Sequence, residues 1–219
     1  VIKSGSVLVI NCGSSSIKFS AIDHETSSHV IRGSVERIGE ENAQLKYTAP
    51  HGMSSQFLGA ANHERALHSI ASILRERNGL QKELLAVGHR VVHGGETFSA
   101  SRRIDEQVLS AIENCNHLAP LHNPANIMGI RTAQRLFPGL PQVAVFDTAF
   151  HQTLPPRAYL YAIPYNLYAE HSIRRYGFHG TSHRFVTERA ASMLGKPLGA
   201  CAFVSVHLGN GCSACAVLG

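Results

Sequence analysis

The sequence has 219 residues, 44% hydrophobic and 16% charged, with 19 Gly and 9 Pro, which is globular composition and enough chain for one large domain or two small ones. No stretch approaches the roughly 20 apolar residues of a membrane span, and Val1-Ile-Lys-Ser-Gly-Ser runs into a strand pattern without the layout of a secretory signal, so a cytoplasmic protein with no membrane partner is expected. The formal net charge is +5, but the basic residues are scattered without a dense run or interleaved aromatics, which argues against a nucleic-acid groove and suits a small phosphorylated ligand as well.

Residues 7–22 read strand, turn, strand: Val7-Leu-Val-Ile, the turn Asn11-Cys-Gly-Ser-Ser-Ser, then Ile17-Lys-Phe-Ser-Ala-Ile, a hairpin pattern. Two further strands are predicted near residues 29–38 and 43–48. Asn62 caps a helix with the apolar stripe Ala66, Leu67, Ile70, Ile73 and Leu74, ended by Gly79. Residues 84–92 form a buried strand running into His93-Gly-Gly. Asp105 caps a second helix containing Val108, Leu109 and Ile112. Pro124 marks the start of a third, with Ile127, Ile130, Ala133 and Leu136 facing inward.

Residues 142–146 are an apolar strand that delivers Asp147 at its C-terminal end. Residues 148–178, rich in Tyr, Pro and His with weak periodicity, read as a crossing or lid-like segment. Thr181 or Ser182 caps a helix through Leu194, stopped by Gly195 and Pro197; a strand at 202–206, a Gly-containing turn and a strand to Leu218 follow. The order implies an α/β protein around a mixed sheet. The strand–turn–strand unit occurs twice, at 7–22 and 203–217, so residues 1–150 are expected to form one domain and residues 151–219 the start of a second.

The five cysteines, Cys12, Cys115, Cys201, Cys212 and Cys215, are odd in number and widely spread, and read as reduced thiols. Cys212 and Cys215 stand three apart in a strand pattern, which puts them on opposite faces rather than at one metal. In the first turn, Gly13 lets backbone amides approach an anion, with serine hydroxyls and Lys18 around it; a plain polar hairpin turn is the alternative. His207-Leu-Gly-Asn-Gly211 is a second such turn, and an ordinary Asn-Gly hairpin is its alternative. Together the two turns could face one another around a polyphosphate.

Arg90 sits near the end of a buried strand, where its planar fork suits a carboxylate ligand or an internal acid. Alternation places Arg90 and Val92 on one face, a pairing that fits a short acid. Asp147 stands beyond the carboxyl end of a strand, where α/β ligands collect, and can orient a metal or accept a proton; capping a turn is its other use. Arg174-Arg-Tyr-Gly-Phe-His-Gly-Thr-Ser-His183 gathers cations, histidines and glycines. His179 and His183 have a zinc-helix offset, but Gly180 follows His179 where a metalloprotease needs Glu. A fixed His there could stabilise a phosphoryl group in transit, although 14 histidines in the chain leave an incidental loop as the alternative.

The motifs Val9-Ile-Asn-Cys-Gly-Ser-Ser-Ser-Ile-Lys18, Gly88-His-Arg-Val-Val-His-Gly-Gly-Glu96, Ala119-Pro-Leu-His-Asn-Pro124, Val145-Phe-Asp-Thr-Ala-Phe-His151, Arg175-Tyr-Gly-Phe-His-Gly-Thr-Ser-His183 and His207-Leu-Gly-Asn-Gly211 together resemble those of the acetate and propionate kinases, in family order. The resemblance implies the actin-like duplicated fold shared with sugar kinases and heat-shock ATPases, and reversible in-line phosphoryl transfer from ATP to acetate. It implies Asn11 as a holder of Mg2+ (Mn2+ in its place), and Lys18, Ser14 and Ser16 near the ATP phosphates together with His207, Leu208, Gly209, Asn210 and Gly211. It implies Arg90 on the carboxylate, Val92, Leu121, Pro124 and Phe178 around the acid's tail, Asp147 as the active-site carboxylate, His179 as the transition-state donor, and a homodimer.

Propionate kinases tend to carry Ala where this sequence has Val92, which favours acetate, with propionate as the alternative acceptor. The family's chain continues past the position of Gly219 with a Thr-Arg-Ser-Gly motif, a Gly-rich adenosine loop, a metal-binding Glu and a closing helix. The sequence is therefore expected to be an N-terminal portion that is inactive alone, and an inert nucleotide-binding fragment is the competing reading.

Overall fold

The computed structural model describes residues 4–50, 52–76, 80–209 and 211–219. The chain divides into two compact units, Val1–His93 with Ser101–Val145, and Gly94–Ala100 with Phe146–Gly219. Gly79 and Asn210, expected to end a helix and to line a turn, lie outside the described residues. Among those described, no helix is long and apolar enough to cross a membrane.

In the first unit, β1 (Ser6–Cys12), β2 (Ile17–Asp23), β3 (His29–Glu36), β4 (Ala43–Ala49) and β5 (Gly52–Gly59) form an antiparallel run. β6 (Leu84–Val91) adds to the other side of β1 in parallel, and β8 (Gln142–Phe146) and the short β7 (Arg102–Arg103) complete the order β5-β4-β3-β2-β1-β6-β8-β7. The sheet is mixed, as the element order implied, but five consecutive strands precede the first helix, one more than the sequence pattern gives. β5 went unread because it is an edge strand whose only buried residue is Leu58; with Met53 and Phe57 in solvent it shows no two-residue alternation.

α1 (His63–Glu76) starts where Asn62 Oδ1 accepts from the Arg65 N–H at 2.9 Å, and it buries Ala66, Leu67, Ile70, Ile73 and Leu74. α2 (Glu106–Asn114) starts at Asp105, whose carboxylate accepts from the Val108 N–H at 2.8 Å. α3 (Asn123–Leu136) carries Pro124 in its first turn, where the missing N–H costs nothing. It covers the buried face on β1 and β6, with α1 and α2 packed against it, and at Gly129 it comes so close that a Cβ would meet Cys12 Cβ at 2.9 Å.

The second unit holds a 3₁₀ turn at Ala149–Thr153, the short helices α4 (Pro156–Tyr159) and α5 (Tyr165–His171), α6 (Gly180–Met193), and the hairpin β9 (Ala202–Leu208) and β10 (Cys212–Leu218). The segment at 94–100 belongs to this unit because Glu96 pairs with the buried Arg174, whose guanidinium stacks 3.7 Å over the Tyr159 ring. Phe98 also stacks on Phe146 at 4.3 Å. α6 ends in a Schellman motif: Gly195, at φ +64°, donates to Ser192 O while Lys196 donates to Ala191 O.

The start of α6 differs from the expected cap. Neither Thr181 nor Ser182 caps it; the helix opens at Gly180, preceded by His179 in a left-handed conformation with φ +56° and no side-chain cap. The leading amide finds another acceptor, since the Gly180 N–H donates to Asp147 O at 2.9 Å, and this frees the Ser182 hydroxyl for a histidine described below.

Candidate active site

The chemistry-bearing residues of the first unit share one face of the sheet. β1 buries Leu8, Ile10 and Cys12, so strand alternation turns Asn11 to the opposite face. Lys18 is the cross-strand partner of Asn11 in the β1–β2 hairpin and lies on that same face. β6 pairs in parallel with Val9 opposite Gly88 and Ile10 opposite His89, so Arg90, two residues beyond Gly88, emerges beside Asn11. At one end of adjacent strands the register thus gathers an amide, an ammonium and a guanidinium, with Ser14 and Ser16 in the joining turn.

The turn is closed by its own backbone. The Gly13 N–H donates to Ser16 O at 2.8 Å and Gly13 O accepts from His63 Nε2 at 2.7 Å, so the Gly13 amide closes the four-residue loop and is not offered to an anion. The serine hydroxyls and Lys18, which is exposed, remain the groups suited to phosphate. Cys12 is no nucleophile, because burial pushes its thiol up to about 12.

Two asparagines that the sequence reading passed over hold this end of the sheet. Asn126 donates through Nδ2 to Cys12 O at 2.7 Å and accepts at Oδ1 from the Val92 N–H at 3.0 Å. Asn123 exchanges bonds with both backbone groups of His93, at 3.1 and 3.0 Å. Both are buried, and their signal was a polar pair, three apart, on the apolar stripe of a helix. Val92 is half-buried beside Arg90, whereas Leu121 is exposed ahead of α3. Pro124 lines an open groove with Glu113, Asn116, Ile127, Met128 and Arg131, a groove that includes neither Arg90 nor Val92.

In the second unit, Asp147, the residue that follows β8, is buried, and the backbone after it organises the His179 loop. His151 Nε2–H donates to Phe178 O at 3.0 Å. A Cβ on Gly177, which has φ +78°, would strike the His151 ring at 2.6 Å, and one on Gly180 would strike Asp147 O at 2.4 Å. The two glycines that bracket Phe178 and His179 are therefore required by close approach. His179, left-handed without being glycine, sits in a conformation that concentrates at functional sites.

Around it, His207 stacks on His179 with centroids 4.0 Å apart and an interplanar angle of 16°. Ser182 Oγ bonds His207 Nδ1 at 3.0 Å and Ser213 Oγ bonds His179 Nδ1 at 2.8 Å. Ser213 Oγ also lies 2.8 Å from Nε2 of the buried His183, whose Nδ1 bonds Ser205 Oγ. Burial first, and then the neighbouring His151, His179 and His207, hold His183 below the usual histidine range. Leu208 and Gly209 are exposed at the hairpin tip, as is Gly211, where a Cβ would stand 3.4 Å from His179 Cε1.

Among the predicted groups, Asn11, Lys18, Arg90 and Val92 thus fall together in the first unit, and Asp147, Phe178, His179, His207 and Gly211 in the second. The three serines that hold the histidines went unread because serine on a strand or in a helix's first turn has no distinctive spacing.

A family model described as the acetokinase family matches residues 6–219. The chain belongs to the acetokinase family. It is 52% identical over 212 residues to acetate kinase 1 of Vibrio vulnificus (strain CMCP6), an alignment that covers 96% of this chain and 53% of that protein. Among solved structures it resembles a propionate kinase of Francisella tularensis subsp. tularensis SCHU S4, with TM-score 0.93, 46% identity and coverage of 98% of this chain and 55% of the other. It also resembles Porphyromonas gingivalis acetate kinase, with TM-score 0.90, 43% identity and coverage of 98% and 55%. The acetokinase fold is the actin-like one that the motifs implied, and the chain spans about half the length of the curated relatives it matches.

Proposed function

We propose that the protein carrying this sequence transfers the γ-phosphoryl group of ATP to acetate, reversibly, giving acetyl phosphate and ADP. The observation that supports this most is the common face of Asn11, Lys18 and Arg90 on adjacent strands, which offers a carboxylate clamp beside groups suited to phosphate. Arg90 holds the carboxylate through paired N–H donors, and Val92 beside it bounds the methyl group. Leu121, Pro124 and Phe178 are the further apolar groups assigned to the acceptor. Lys18, Ser14 and Ser16, with residues 207–211, take the nucleotide phosphates.

A carboxylate oxygen bonds to the γ-phosphorus as the bond to the bridging oxygen breaks, and ADP leaves with that electron pair; no proton has to move. His179 donates to an equatorial phosphoryl oxygen as charge spreads there, while Asp147 orients substrate or metal. A magnesium ion, or manganese in its place, supplies charge neutralisation at the phosphates when bound. The donors present fit such an ion: Asn11 offers a hard side-chain oxygen, and among the described residues no three His, Cys, Asp or Glu side chains form a cage. Magnesium characteristically takes one or two protein oxygens and fills its shell with phosphate and water. We place the protein in the cytoplasm, as a homodimer, on the family resemblance.

The test is acyl hydroxamate formation with ATP, magnesium and acetate by a chimera in which the rest of the 52%-identical relative follows Gly219. The expected result is acetyl phosphate from the chimera and little or none from the 219 residues alone. A folded, ATP-binding chimera that phosphorylates neither acetate nor propionate would overturn the reading in favour of a non-catalytic nucleotide-binding protein.

A further inference from the structure

The turn between β1 and β2 is held from behind by groups that belong to neither strand. Gly13 O accepts from His63 Nε2 at 2.7 Å, and Ser15 O accepts from the Ile38 N–H at 2.9 Å. The next amide, that of Gly39, donates to Ala61 O at 2.9 Å. The residues after β3 and those entering α1 are thus tied to one another as well as to the turn. Arg37 makes the bend that brings Ile38 round; it is left-handed, with φ +58°, without being glycine, a conformation that persists where surrounding bonds impose it.

The ring contact has one sense only. A carbonyl oxygen has no proton to give, so His63 Nε2 carries the proton and donates. The bond spans 50 residues and joins the first residue of α1 to the turn. α1 does not depend on it: Asn62 caps the helix, and Ala66, Leu67, Ile70, Ile73 and Leu74 bury its apolar side. The turn has far fewer holds. Ser14 and Ser15 are exposed, and among the described residues the bonds from Gly13 N–H, Ile38 N–H and the His63 ring are what fix its backbone.

Those bonds also decide which way the turn's other amides face. In a trans peptide the N–H points opposite to the C=O, and the peptides here are trans. With Gly13 O drawn to the His63 ring, the Ser14 N–H is turned away from that ring. With Ser15 O drawn to Ile38, the Ser16 N–H is turned away from Ile38. Neither amide donates to a protein acceptor among the described residues, and both belong to serines assigned above to the ATP phosphates.

We propose that His63 is a positioning residue: its Nε2–H latches the Gly13 carbonyl and so fixes the peptide that presents the Ser14 amide to the nucleotide's phosphates. The nucleotide's part rests on the phosphoryl-transfer reading above; the latch does not.

The experiment measures KM for ATP and for acetate in the chimera, with 15N–1H NMR of the unextended chain in parallel. In the unsubstituted chain the His63 ring should carry a proton on Nε2. His63→Ala should raise KM for ATP about 3- to 10-fold, the range of one net hydrogen bond, with KM for acetate nearly unchanged, and should speed hydrogen exchange at the Gly13 amide. His63→Gln, whose side-chain amide nitrogen has a reach similar to that of the ring Nε2 and which suits a helix, should restore both readouts. A ring that served only to hold the fold would lower stability without separating the two KM values.

An unchanged KM for ATP in His63→Ala, an equal rise for acetate, or a glutamine variant no better than alanine overturns the proposal. Should His63→Ala fail to fold, the unsubstituted chain still decides: a His63 ring protonated on Nδ1 alone cannot donate from Nε2 and sinks the latch. A chimera that transfers no phosphate would sink the assignment of function, and faster exchange at Gly13 in His63→Ala would then uphold the latch by itself.

Discussion

Individual side chains set both the chemistry and the acid limit of this protein. His89 and His93 are 2% and 1% exposed, and burial pushes both down to about 4 from an ordinary 6.5. His89 still finds a partner, Gln142 Oε1 at 2.7 Å, but that bond does not offset the loss of water. The sign follows from proton counting. Between pH 6.5 and 4 the unfolded chain binds protons at these positions and the folded chain does not, so stability is complete above 6.5 and falls as the pH drops through that window. Each ring contributes up to about 3 kcal/mol to the fall. Urea midpoints across pH should show a plateau followed by this decline, and His89→Phe should shrink it by about half, His93 supplying the rest; a midpoint constant down to pH 4 would show that these rings are protonated inside the fold.

At the scale of elements, α3 does more than cover the sheet. Its first turns hold the C-terminal end of β1 and the backbone just past β6 through Asn126 and Asn123. Asn126→Leu would leave Cys12 O and the Val92 N–H without their partners, each a loss of about 1–3 kcal/mol. Urea denaturation should therefore register a drop of about 2–5 kcal/mol, and hydrogen exchange should show the Val92 amide opening more readily than those in β4. Unchanged protection at Val92 would mean that Asn126 does not hold it.

Much of this layer could be read directly from the residues. The β1–β2 hairpin announces itself by β-branched alternation around a Gly-Ser turn, α2 by Asp105, α3 by Pro124, and β8 by an apolar run ending in Asp147. What could not be read depends on partners distant in sequence. β5 hides because its side chains face solvent, and α6 begins at Gly180 because the carbonyl of Asp147, far back along the chain, accepts its amide. Asn126 lies 114 residues from Cys12, and Ser213 lies 34 from His179, separations that no local pattern encodes.

The whole molecule comprises two units of unequal completeness in their packing. The first closes a core around Leu8, Ile10, Leu67, Ile70 and Leu74. The second packs one face of its hairpin, with Ser205 and Val217 buried, and leaves Val204, Leu208 and Leu218 on the other face 79%, 75% and 83% exposed. The chain aligns to about half the length of its relatives.

The central claim, that Arg90 grips the acceptor's carboxylate beside the phosphate-holding turn, is tested most directly by comparing Arg90→Ala with the unsubstituted chimera for both substrates. Loss of a charged, paired hydrogen bond of about 1.5–3 kcal/mol should raise KM for acetate on the order of 10- to 150-fold while leaving KM for ATP almost unchanged. An unaltered KM for acetate, or an equal rise for both substrates, would contradict the assignment.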